Sequence, residues 1–144
     1  MRSVAKQSCQ PSRVGFGRVP AVTPLSLGRL QSQPHPTFRP LQLAYDLIAA
    51  LPELVRAVAR HDRPLADQLR RAAQSVALNL AEARGHTGGN RRLRLQSALG
   101  SAYETQTALR VAQAWGYVSN APADRAYELA DRVAAACWRM LHAR

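Results

Sequence analysis

Between Glu82 and Glu104 the chain carries Arg84, Arg91, Arg92 and Arg94 and no acid. A guanidinium presents a planar fork of donors that matches a phosphate and stacks on bases, whereas an ammonium acts as a point charge. His86 adds a titratable donor to the same stretch, and Gly85, Gly88 and Gly89 leave the turn free to follow another backbone. Arg91 and Arg92 stand where a helix is expected to begin, and cations there oppose the helix macrodipole by about 0.3–1 kcal/mol each. A feature with a local cost points to a partner. Phosphate contact by Arg84, His86, Arg91, Arg92 and Arg94 is the functional reading, with a solvated helix start and a subunit contact as alternatives.

Catalytic chemistry has less to stand on. A di-iron bundle needs inward Glu-x-x-His pairs, and His35, His61, His86 and His142 never follow a glutamate by three residues. No phosphate-binding loop, dinucleotide fingerprint or nucleophile elbow occurs, and the nine acids form no clustered pair that could hold a metal. Cys9 and Cys137 are too far apart for a zinc spacing or a C-x-x-C pair. Neither an enzyme, a cofactor nor a metal is expected. Ser75, Asn79 and Glu82 share one helix face at spacings of four and three, which reads as a polar seam that fixes packing and register. No RRM, KH or zinc-finger pattern supplies direct base readout, so recognition by shape and phosphate is expected, of RNA ahead of DNA. Trp115, Tyr117, Tyr103, Tyr45, Tyr127 and Trp138 could stack on bases if exposed, although at helical spacing such residues more often serve a core or a subunit interface.

The elements that position these groups follow from composition and period. The 144 residues carry a formal net charge of +11, and Lys6 is the single lysine among 20 cations. No apolar run approaches the 18 or so residues of a membrane-spanning helix, and cysteine usage suits a reducing cytoplasm. Six of the nine prolines and six cations, with no acid, fall in residues 1–40. Each proline fixes φ and removes an amide donor, so residues 1–40 read as a disordered basic arm. An extension without a role, an arm that contacts nucleic acid and an organelle-targeting peptide are its three readings. The 14 cations and nine acids of residues 41–144 leave +5, so the folded part is basic too.

From Leu41 onward the pattern is helical. Ala44, Leu47, Ile48, Leu51, Leu54, Val55 and Val58 form one stripe, which Pro52 should kink or restart. Asp62 can cap a second helix, with Pro64 in its first turn and Leu65, Leu69, Ala72, Ala73, Val76, Leu80 and Ala83 on its apolar face, ending at Gly85. A turn through Gly88 and Gly89 leads to a third helix capped by Asn90, buried through Leu95, Leu99, Ala102, Leu109 and Ala112. A loop through Asn120 and Pro122 precedes the fourth, with Ala126, Leu129, Ala130, Val133, Ala136, Cys137 and Met140. Four such stripes joined by short loops predict an all-α, up-down-up-down four-helix bundle over residues 41–144.

Two segments also carry a family resemblance. The run from Gln68 through Arg70, Arg71, Ser75 and Asn79 to Glu82 resembles the signature of the 23S rRNA intervening-sequence proteins, also called the four helix bundle protein family. Gly100-Ser101-Ala102-Tyr103-Glu104, Leu109-Arg110-Val111-Ala112 and Gly116-Tyr117 follow in the same order. The departures are Ala83-Arg84 where the family usually has glycine, Pro52, and the unmatched arm. The resemblance implies a protein linked to bacterial large-subunit rRNA genes. Through a related branch, the accessory variability proteins of diversity-generating retroelements, it implies a basic homopentamer that binds nucleic acid together with a reverse transcriptase. A scaffold docking onto an acidic protein or such a polymerase is the rival to RNA binding. Arg70, Arg71 and Glu104 lie in the two matched segments, and a bundle would place those helices side by side; a buried ion pair between one arginine and Glu104 is the expected structural role.

Overall fold

The computed structural model describes residues 38–143, so the expected arm over residues 1–40 lies almost wholly outside the described residues. Five α-helices follow in order: α1 (Arg39–Ala50), α2 (Pro52–Ala59), α3 (Arg63–Gly85), α4 (Gly88–Ala114) and α5 (Asn120–His142). Pro52 restarts the first stripe rather than bending it. Its nitrogen has no hydrogen to return to Ile48, and Leu51 closes α1 by donating to the Ile48 carbonyl at 3.2 Å. The chain direction carries on, and α1 and α2 together fill one position of an up-down-up-down bundle. α1 packs on α3 and α5, and α4 packs on those same two helices from the other side.

The helix ends obey local chemistry. The Asp62 carboxylate accepts from the Leu65 amide at 2.9 Å, a cap worth about 0.5–2 kcal/mol. Two ends differ from the sequence expectation. Asn90 is not a cap: Gly88 takes φ +57, which lets the chain reverse in two residues, so α4 begins at Gly88 and Asn90 lies inside its first turn. Pro122 is likewise not in a loop but in the first turn of α5, where a missing amide hydrogen costs nothing.

Alanine dominates the core, which brings the helix backbones close together around a few large side chains. Leu80, Leu95, Val133 and Cys137 fill the end near the α3–α4 turn, Leu47, Leu69 and Leu109 the middle, and Val58, Ala66 and Ala112 the far end. The polar groups taken inside are matched. Thr105 donates to the Ser101 carbonyl at 2.9 Å and Gln106 to Asp131 at 3.2 Å. Among the described residues no buried side-chain polar atom lacks a partner.

A line of polar contacts joins α3 to α4. Gln68, Ser75 and Glu82 are seven residues apart on α3 and meet Glu104, Ser101 and Arg94 on antiparallel α4. The two serine Oγ atoms are 2.9 Å apart, with Asn79 Nδ2 donating to Ser75 Oγ at 3.1 Å. The expected buried ion pair with Glu104 is absent. Glu104 is exposed and accepts from Gln68; Arg71 donates to Gln68 Oε1 at 3.1 Å, and Arg70 pairs with Asp67 on its own helix at 3.0 Å. The physical reason is position: residues 70 and 71 point to solvent on α3, where an ion pair needs no burial and contributes little. Arg71→Ala should therefore change unfolding free energy by no more than about 0.5 kcal/mol in urea, against the 3–5 kcal/mol that breaking a buried pair would cost.

Cys137 is fully buried on α5, and desolvation pushes its thiol up from 9.0 to about 11. Its folded value lies above its unfolded one, so the associated stability is complete below pH 9 and is lost as pH rises toward 11. At about 1.4 kcal/mol per unit, roughly 2–3 kcal/mol should disappear over that window. Denaturant curves of Cys137→Ala, which lacks the thiol, should show a correspondingly flatter pH dependence than wild type. Equal slopes would contradict the burial argument.

Candidate nucleic-acid interface

One end of the bundle gathers the end of α3, the start of α4, the last turns of α5 and the first turn of α1. Arg84 lies exposed in the last turn of α3, where a cation complements the helix dipole. His86 is exposed and extended, with φ −112 and ψ 160, in the short link to α4. Arg91 is half-buried and Arg92 exposed. Neither Arg84 nor Arg91 has an ion-pair partner among the described residues.

Arg92 and Arg94 behave differently. Arg92 Nη1 donates to the Leu141 carbonyl at 3.1 Å, so a guanidinium from the start of α4 satisfies an open carbonyl at the end of α5. Its charge opposes one dipole and completes another, which removes much of the local cost that its position on α4 implied. Arg94 Nε lies 2.6 Å from Glu82 Oε2, with both side chains a little under half exposed. Both have structural work to do. Arg84, His86 and Arg91 are the unengaged members of the predicted set.

Sequence reasoning offered Trp138 as a ring that could stack on a base if exposed, but did not join it to His142 or to the arginines of α5. Trp138 and His142 stack with centroids 4.3 Å apart at 23°, and His142 Nδ1 is 2.8 Å from the Trp138 carbonyl oxygen. Their i,i+4 spacing was the available signal. Trp138 is half exposed, so the pair offers a ring surface to solvent. Beside it, a cleft of about 600 Å³ between α1 and α5 is lined by Arg39, Arg132 and Arg139 with Phe38, Leu43 and Met140. Asp131 also lines this cleft, but its carboxylate already accepts from Gln106. None of the three arginines has an ion-pair partner among the described residues.

Chemically, this end can hold an anion and stack a planar group. No cluster of three or more His, Cys, Asp or Glu side chains able to hold a metal occurs among the described residues. No helix there is long and apolar enough to cross a membrane.

The comparisons with known proteins agree with the fold. A solved structure from Bacteroides thetaiotaomicron, described as a protein with unknown function from the S23 ribosomal protein family, superposes with a TM-score of 0.66. The alignment covers 72% of this chain and 98% of that one at 14% identity, a likeness of fold alone. No curated protein matches the chain. The family model of the 23S rRNA-intervening sequence protein matches residues 38–139, the whole of the bundle up to the last turn of α5. The chain belongs to the 23S rRNA-intervening sequence protein family.

Proposed function

We propose that this protein is a non-enzymatic, oligomeric RNA-binding bundle that holds structured RNA at the end formed by the α3–α4 turn. The observation that carries the reading is the pattern of ion pairing. Glu82 is the acid nearest that turn in the chain, and it is occupied by Arg94, while Arg84 and Arg91 stand without carboxylate partners among the described residues. Guanidinium groups left unneutralised together raise the local potential and draw phosphate. The exposed Trp138–His142 pair adds a surface for a base, and the family's link to 23S rRNA favours RNA over DNA.

Oligomerisation is supported by apolar side chains left on the outer faces. Leu78, Leu93 and Tyr103 are half exposed or more. A shallow groove between α4 and α5 is lined by Tyr103, Thr107, Val111, Ala114 and Tyr127, with Arg110 stacked over the Tyr127 ring at 4.0 Å. A second copy of the chain is the occupant that the family resemblance suggests, in a ring of five repeating one heterologous interface. Light scattering at tens of micromolar should give a mass near five times 15.8 kDa. A monomer at that concentration would rule the ring out.

RNA binding is tested by salt. With about five phosphates engaged, the log–log slope of affinity against salt should be about −3.5 to −4.5 for a hairpin RNA. The double substitution Arg84→Gln with Arg91→Gln should flatten it by about 1.4–1.8 while circular dichroism stays unchanged. Arg94→Gln, which removes a group already held by Glu82, should move the slope much less. Affinity indifferent to salt, or a double variant indistinguishable from wild type, would overturn the assignment. Tighter binding to an acidic protein than to RNA would favour the scaffold reading.

A further inference from the structure

The opposite end of the bundle carries a second aromatic surface. α3 runs 23 residues between the two ends, about 35 Å at 1.5 Å per residue. There α4 closes in a Schellman turn. Gly116 at φ +71 donates to Gln113 at 2.9 Å, and Tyr117 donates to Ala112 at 2.9 Å. The turn leaves Tyr117 half-buried against Val58, Ala66 and Ala112, so its ring is held from behind. Tyr117 stacks on His61 from the α2–α3 link, with centroids 5.0 Å apart at 6°, and on Trp115, 6.5 Å apart at 16°.

Three nearly parallel rings therefore share Tyr117 as their common member. Trp115 is 70% exposed, the most exposed large apolar side chain among the described residues. Its indole buries little of its own area, so it contributes little to the fold. Arg60 and Arg63 flank His61 in the chain, both exposed and both without an ion-pair partner among the described residues. Asp62 between them is committed to the α3 cap. Exposed aromatic faces beside unneutralised guanidiniums are the two ingredients of a single-strand platform, since every base has a π-face and every nucleotide a phosphate.

We propose that Trp115, backed by Tyr117 and His61, stacks an unpaired base of the bound RNA, with Arg60 and Arg63 on the adjoining phosphates. The proposal rests on the RNA-binding reading and gives the protein a second contact, specific for single-stranded flanks rather than for duplex. The ring set is assembled before any ligand arrives, because the Schellman turn and the His61 stack fix it. Little ordering is then lost on binding.

The test uses the full chain and three RNAs: a hairpin alone, the hairpin with a tail of about twelve adenines, and the hairpin with an equally long abasic tail. Twelve nucleotides span about 41 Å at 3.4 Å each, enough to reach from one end to the other. Both tails add the same phosphates, so their difference reports stacking. In wild type the adenine tail should bind about 5- to 140-fold more tightly than the abasic tail, which is 1–3 kcal/mol for one stacked base. Trp115→Ala should bring the two tails together, Trp115→Phe should restore part of the gap, and Arg84→Gln with Arg91→Gln should weaken all three RNAs while the gap persists. Equal binding of the two tails, with the hairpin still bound and salt-sensitive, overturns this proposal and leaves the RNA-binding reading standing. Failure of every RNA to bind removes both. Loss of the gap together with dissociation of the assembly in light scattering places Trp115 in a subunit interface and also overturns the proposal.

Discussion

The close antiparallel contact of α3 with α4 is the constraint from which the rest of the molecule follows. Alanines on both helices let the backbones approach, and that approach needs a register, because a smooth apolar face does not choose one. The polar line of Gln68–Glu104, Ser75–Ser101 and Glu82–Arg94 supplies it, one pair every two turns of α3. The exposed and half-exposed outer contacts add little net stability; the part-buried Ser75–Ser101 contact penalises a slip, which would leave its hydroxyls unmatched. With α3 and α4 fixed, the two-residue reversal at Gly88 and the placement of both bundle ends are determined.

Charge is arranged around this frame by occupation. Asp46 accepts from Gln42, Asp62 caps α3, and Glu53, Asp67, Glu82 and Asp124 pair with Arg56, Arg70, Arg94 and Arg110. Glu104 and Asp131 are bonded to Gln68 and Gln106. Glu128 alone among the nine acids has no side-chain or backbone partner among the described residues. Eight of the nine acids are thus engaged along the helices or at a cap, and much of the unpaired arginine is left at the ends. A net positive composition becomes a positive surface through this distribution.

Much of the fold was legible because it depends on local rules. Apolar period located the helices, Asp62 with Pro64 marked the start of α3, and Pro52 marked the break between α1 and α2. Asn90 and Pro122 misled for one reason: either residue can stand just outside a helix or in its first turn. The candidate interface was half legible. A run of arginines was visible, but which were already engaged depended on contacts 12 and 49 residues away, between Arg94 and Glu82 and between Arg92 and Leu141. Arg71 and Glu104 share a seam only through Gln68, a relay that pairing opposite charges by eye does not suggest.

The two ends also share a design that neither shows alone. Each places a histidine on an aromatic ring, His142 on Trp138 at one end and His61 on Tyr117 at the other. In each case the pairing is held by helix-end geometry: consecutive turns of α5, or the Schellman turn that closes α4. Side chains at a helix end can project past the packed core, as Trp115 and Trp138 do with more than half of each exposed. The helix ends also hold several of the arginines without an ion-pair partner among the described residues, Arg60, Arg63, Arg84 and Arg91 among them. On the RNA-binding reading proposed above, the rings and unpaired guanidinium groups at both ends would let the bundle touch a polyanion at two separated points. On that proposal the spacing, set by the length of α3, suits an RNA with a folded part and a single-stranded flank better than a short, compact anion.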